Sequence, residues 1–173
     1  MSPSVLAAVR VWREVTPLNA RRFNHVSVHA DDLETSVRFY EELFGMERLP
    51  TPNFGLNIRW LALGEQQLHV FEQSVPRPEY HHFGLDVENF EDVYLKARER
   101  GILDAETFGG AVRELPDGAV QMYLRDPAGN LVEVNWPDLT TLDRSVVEEV
   151  VRVADMEPQE GEAALARLYH AQG

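Results

Sequence analysis

Two stretches of the chain alternate apolar and polar positions, meet a short polar side chain, and then change to a three-to-four-residue rhythm. In the first, His25-Val26-Ser27-Val28-His29 runs into Asp31-Asp32, after which Leu33, Val37, Tyr40 and Leu43/Phe44 recur at helical spacing up to Gly45. In the second, His82-Phe83-Gly84-Leu85-Asp86 runs into Asn89, and Phe90, Val93/Tyr94 and Ala97 recur up to Gly101. Alternation is the mark of a half-buried strand, and the longer rhythm that of an amphipathic helix. Asp or Asn at the junction satisfies the first free N–H groups of a helix, and glycine suits a left-handed cap at its end.

The two stretches repeat one another. Laid in register, the histidine, the apolar positions and Glu34 with Glu91 coincide at an offset of 57 residues. Each is followed by two further strand-like runs, 57–63 and 66–71 in the first half, 119–124 and 131–135 in the second. Weaker strand signals sit near 47–51 and 111–115, and Asp126-Pro127-Ala128-Gly129-Asn130 is the strongest turn. The prediction is therefore an α+β fold of two tandem βαβββ modules, residues 22–74 and 79–137. Two copies are too few for a solenoid, so this is duplication within one domain. Residues 1–21 form an N-terminal extension. Residues 138–173 are expected to form a helical C-terminal extension, because Val146, Val147, Val150, Val151 and Val153 make an apolar stripe. That stripe, like Leu6, Val9 and Trp12, either covers its own sheet or clasps a partner subunit.

Charge and composition narrow the function classes. The net charge of −13 and pI near 4.8 argue against nucleic acid as partner, since phosphate binding rests on basic patches. With no cysteine there is neither a disulfide framework nor a thiolate nucleophile or ligand, so any chemistry uses oxygen and nitrogen side chains. No apolar run is long enough to cross a bilayer. The start, MSPSVLAAVRVWREV, lacks the basic n-region of a secretory signal, and a cytoplasmic protein is expected.

Strand alternation places His25, Ser27 and His29 on one face, against Val26 and Val28 on the other, and likewise His82, Gly84 and Asp86 against Phe83 and Leu85. In the last strand of each half, aligning QQLHVF with NLVEVN sets His69 opposite Glu133, both between apolar neighbours that face the other way. A buried carboxylate in such a place needs a partner.

The segments NHVSVHADDLETSVRFYEELFGM, HHFGLDVENFEDVYLKARERG and YLRDPAGNLVEVNWP resemble the vicinal oxygen chelate superfamily, which includes glyoxalase I, methylmalonyl-CoA epimerase, extradiol dioxygenases, fosfomycin resistance enzymes and bleomycin-binding proteins. The resemblance covers about residues 22–137. It implies curved sheets around a metal cleft, with His25, His69, His82 and Glu133 ringing one divalent transition metal (Fe, Mn, Ni, Co or Zn). It further implies an enzyme that binds neighbouring oxygens of a small substrate, a lyase or isomerase working through an enediolate with Glu133 as base. His69 departs from the carboxylate or Gln of glyoxalase and epimerase relatives. Without it, His25, His82 and Glu133 make the two-His-one-carboxylate face of an Fe(II) dioxygenase. A metal-free, drug-sequestering protein is the rival from another class. His29, Gln67, Tyr123 and Asn135 fall on or near the inner face as candidate substrate contacts, with polar filler or a solvent-facing strand end as the plain alternative. A homodimer is expected, because the sheets leave edges to cover and the flanks carry apolar stripes.

Overall fold

The computed structural model describes residues 22–169. Its elements follow the order read from the periodicity: β1 (His25–Ala30), α1 (Leu33–Phe44), β2 (Glu47–Leu49), β3 (Ile58–Leu63), β4 (Gln66–Glu72), then β5 (His82–Asp86), α2 (Phe90–Glu99), β6 (Val112–Glu114), β7 (Val120–Arg125) and β8 (Leu131–Trp136). The first module forms a sheet in the order β1-β4-β3-β2. The second repeats it as β5-β8-β7-β6. In both, the first strand pairs parallel to the last and the rest of the ladder is antiparallel.

Local chemistry sets the helix ends. Asp32 accepts from the Thr35 N–H at 2.7 Å, and Asn89 from the Asp92 N–H at 3.0 Å. Gly45 and Gly101 carry φ of 65° and 64°, the left-handed turn that closes each helix.

One apolar core runs through both modules. Val28, Leu68 and Val70 of the first sheet, Leu85, Val132 and Val134 of the second, and Val37, Tyr40, Phe90 and Tyr94 of the helices all belong to it. The helix-facing sides of both sheets are thus buried against each other's module, and their histidine-bearing faces point away from that shared core. Polar links fix the join: Tyr40 on α1 donates to Asp126 in the second module's turn at 2.7 Å, and Asn130 Nδ2 donates to the His29 carbonyl at 2.7 Å. Burial pushes the Tyr40 hydroxyl well above its ordinary pKa, with the Asp126 carboxylate adding to it.

The C-terminal segment differs from the helical pattern of its valines. Asp143 accepts from the Ser145 N–H and hydroxyl, a single turn follows, and the chain then extends as β9 (Val151–Arg152). That strand pairs parallel with β6, Arg113 opposite Val151, and among the described residues four residues of α-helix, α3 (Val153–Met156), and a three-residue 3-10 turn, Ala163–Leu165, come after it. Val147 is fully buried, and Val146 and Val150 pack against the core. The free edge of β6 supplies backbone partners and the core a place for the side chains, so an extended path satisfies both. Leu6, Val9, Trp12 and His170 lie outside the described residues.

Candidate metal half-sites

The ladder registers put the candidate donors at equivalent places. Ser27 lies opposite His69 in the first sheet, and Gly84 opposite Glu133 in the second. His25 and His82 open the first strand of each module, two residues before Ser27 and Gly84 and on the same face. Neither histidine faces the helices, as alternation required.

In the first half-site the His69 ring is sandwiched. It stacks on His25 with centroids 4.2 Å apart and on Trp60 at 4.4 Å, both nearly parallel. This leaves His69 only 8% exposed. Burial lowers its pKa, and the neighbouring His25 lowers it further, so the imidazole is held neutral. Gln67 Oε1 lies 2.9 Å from His69 Nε2 and Asn24 Oδ1 lies 3.0 Å from His25 Nδ1. An amide oxygen only accepts, so each contact ties up one ring N–H and leaves the other nitrogen with a lone pair.

The second half-site has a different chemistry. His82 Nδ1 lies 2.8 Å from the Tyr80 carbonyl, to which it must donate, and its Nε2 faces Glu133 Oε2 at 3.3 Å. A neutral ring therefore turns a lone pair toward a carboxylate that is 6% exposed. A positive charge between the two, a proton or a metal ion, satisfies both. This is the arrangement of a metal-binding histidine, whose second nitrogen is fixed by a carbonyl. Phe108 and Tyr123 stand edge-on to His82 at 5.7 and 6.1 Å. Tyr123, opposite Glu133, donates to Gln121 at 3.1 Å. Burial, then the Glu133 charge, raises its pKa and keeps the phenol protonated.

Among the described residues no three His, Asp or Glu side chains gather into one metal-holding group. The four candidate ligands are brought together as two pairs, His25 with His69 and His82 with Glu133, on faces that point away from the shared core. The donor types suit a divalent transition metal: imidazoles that each have one ring nitrogen held by an oxygen partner, and one buried carboxylate. Of the substrate-contact candidates, Gln67 tethers His69 and Tyr123 stands beside Glu133. Asn135 is 8% exposed, and its Oδ1 has no partner among the described residues. His29 lies farther along β1, with Phe71 at 6.5 Å.

Three neighbours of the pairs were not singled out by their sequence. Trp60 reads as a core or interface anchor, yet it lies directly across the ladder from His69, a place that strand alternation in β3 encodes. Phe108 comes from a loop with no periodic signal. Tyr169, near the end of the described chain, donates to Asp86 at 2.7 Å across 83 residues and brings the C-terminal segment over the end of β5.

Comparisons with known proteins agree with the duplicated frame. The family model described as Glyoxalase/Bleomycin resistance protein/Dioxygenase superfamily matches residues 22–134. A metallothiol transferase, FosB, of Staphylococcus epidermidis is 27% identical over 65% of this chain and 79% of its own. The mitochondrial methylmalonyl-CoA epimerase of Homo sapiens is 25% identical over 67% of this chain and 74% of its own. The crystal structure of a glyoxalase family protein from Bacillus anthracis shares the fold, with a TM-score of 0.56 at 23% identity, over 69% of this chain and 98% of that one. The chain belongs to the Glyoxalase/Bleomycin resistance protein/Dioxygenase superfamily.

Proposed function

We propose that the protein is a metal-dependent enzyme acting on a small substrate with neighbouring oxygens, a lyase or isomerase that moves a proton. It would hold one divalent transition metal between the His25–His69 pair of one copy and the His82–Glu133 pair of a second. The observation that carries this reading is the His82 Nε2 to Glu133 Oε2 approach at 3.3 Å, with Nδ1 already committed to a carbonyl. A sequestering protein has no need of such a pair. Similarity to a metallothiol transferase and to an epimerase supports an enzyme of this kind.

When bound, the metal supplies Lewis acidity to the substrate's oxygens. The chain supplies the rest. Glu133 is buried and has one oxygen against His82, which suits it to hold or move a proton at Oε1 or Oε2. Tyr123 stays protonated and can donate to a substrate oxygen if its one O–H turns away from Gln121, while Trp60 and His69 wall the first half-site against water. A site of His25, His82 and Glu133 alone, the dioxygenase type, is the second reading; the sandwiched ring of His69, tied to Gln67, favours it.

The dimer follows from the two pairs facing away from the core of their own chain. The valine stripe that first suggested one is largely accommodated within the chain, so it no longer argues for a partner. The test is complementation. A chain carrying His25→Ala and His69→Ala, and a chain carrying Glu133→Ala, are each expected to take up little Co2+. Unfolded and refolded together, they should recover binding at one site of each mixed dimer. Recovery would be absent if each chain builds its site alone, and a wild-type protein that sediments as a 19.7 kDa monomer would end the shared-site reading.

A further inference from the structure

A groove at the seam of the two modules is used by neither half-site. It encloses about 470 Å³ between the end of α1 and the start of α2. Phe44 and Leu63 of the first module and Val87 of the second contribute to its apolar lining, and all three stay half-buried. Its polar rim is acidic, with Asp86, Glu88 and Asp92 against Lys96 alone. Asp86 accepts from Tyr169 and Asp92 from Asn89, both neutral donors that leave the carboxylate charges in place. Such a surface favours a covering segment that is apolar on one side and carries positive charge beside it.

The first described residues lead toward this groove. Going back along the chain, the Asn24 carbonyl accepts from the Gln67 N–H at 3.2 Å, and the Phe23 carbonyl accepts from Gln66 Nε2 at 3.2 Å. Arg22 then pairs with Glu65, in the turn between β3 and β4. Each step moves from β1 across the start of β4 toward the end of β3, where Leu63 lies opposite Gln66 and lines the groove. Residues 1–21 precede this point, and their sequence suits the groove. Val5, Val9 and Trp12 recur at helical spacing, and Arg10, Arg13 and Arg21 outnumber the one acid, Glu14, in a chain that carries −13 overall. Reach is sufficient as well. A flexible stretch the length of residues 13–21 spans roughly 15–18 Å. Two strand spacings, about 10 Å, separate β1 from β3.

We propose that residues 5–15 of the chain's own N-terminal segment occupy this groove. Val9 and Trp12 cover Phe44, Leu63 and Val87, and Arg10 and Arg13 lie beside Glu88 and Asp92. The segment belongs to the same chain because its short tether is already directed there, which gives it a local concentration that a second copy must match in bulk solution. Its role is to clasp the seam, since the groove takes its walls from both modules. The contact is independent of any metal.

The chain has no cysteine, so nitroxide labels can be carried on two introduced ones, Ala7→Cys and Glu99→Cys, the latter exposed on α2 beyond Lys96. Dipolar EPR on the full chain, diluted tenfold with unlabelled chain, is expected to give one narrow distance. Trp12→Ala should lower the ratio of narrow to broad population by about tenfold or more. Glu88→Lys should lower it about threefold, as an exposed charge contact does. A broad distribution in the parent, or a narrow one that Trp12→Ala leaves unchanged, overturns the assignment. A narrow distance that Glu88→Lys leaves unchanged overturns the placement of the arginines. A narrow distance seen only without dilution makes a second copy the occupant and overturns the clasp within the chain.

Discussion

The two modules share one frame and spend it on different chemistry. In the first, His69 is pressed between His25 and Trp60, two nitrogen donors and an indole with no acid among them. In the second, the equivalent place holds Glu133, and the strand beside it has Gly84 where the first has Ser27. The ladder treats the halves alike, so the difference lies wholly in the side chains. In the first pair, burial lowers the pKa of His69. The second brings the only carboxylate of the four, together with a phenol, Tyr123, that stays protonated. Every one of the four groups can exchange a proton, but the one carboxylate among them, with the phenol beside it, lies in the second half alone.

Removing the carboxylate should break this comparison most severely. Glu133→Ala or His82→Ala is expected to lower Co2+ affinity by about 100-fold or more, since either change strips a donor from the charged pair. His69→Ala should cost less, because its ring is committed to stacking and to Gln67. Calorimetric titration of the three variants checks this. Equal losses would mean that the halves contribute alike and that four donors, not three, hold the ion.

A second contrast isolates backbone space. A Cβ placed on Gly84 would lie 2.8 Å from Asn135 Nδ2 and 3.3 Å from Glu133 Oε1. The Asn135 amide leans over β5 only because that side chain is missing. Gly84→Ala is therefore expected to destabilise by roughly 1–3 kcal/mol through overpacking and to disturb Glu133. Its counterpart Ser27 is exposed, and Ser27→Ala should stay within about 0.5 kcal/mol of wild type. Urea unfolding of both variants measures the difference, and similar values would show that the second half is no more tightly built than the first.

Much of this comparison was legible before any coordinates, and the reason is local. Alternation in β1 and β5, capping by Asp32 and Asn89, and the glycines after each helix depend on neighbours in sequence, so the offset of 57 residues carried over into matched ladders. The direction in which each face points is a different kind of fact. Whether His25 looks toward Glu133 of its own chain depends on how Val28, Leu85, Tyr40 and Phe90 pack across modules, and periodicity does not encode that. The valine stripe failed for a related reason. Its spacing fits a helix, but the open edge of β6 and a vacant core position for Val147 lay elsewhere in the chain and outweighed the local pattern. Trp60 could have been found, because alternation in β3 and the alignment of β3 with β4 place it across from His69.

The smallest expected effect tests the neutrality of the first half. Burial and the nearby His25 lower the His69 pKa in the folded chain, whereas unfolding returns it to about 6.5. Below that value the unfolded chain binds a proton that the folded chain resists, so the unfolded state gains and stability falls as the pH is lowered. The loss begins near pH 6.5 and stops once the pH drops beneath the folded value, where both states are protonated. In His69→Gln this contribution should vanish, so the gap in urea midpoint between wild type and variant is expected to narrow or reverse from pH 7.5 to pH 5.5. His25→Ala removes the like-charge part while leaving Trp60 stacked, and should shrink the slope without abolishing it. A wild-type slope unchanged in His69→Gln would show that the sandwiched ring titrates as it does in water, and that the neutral half-site is neutral for reasons other than burial.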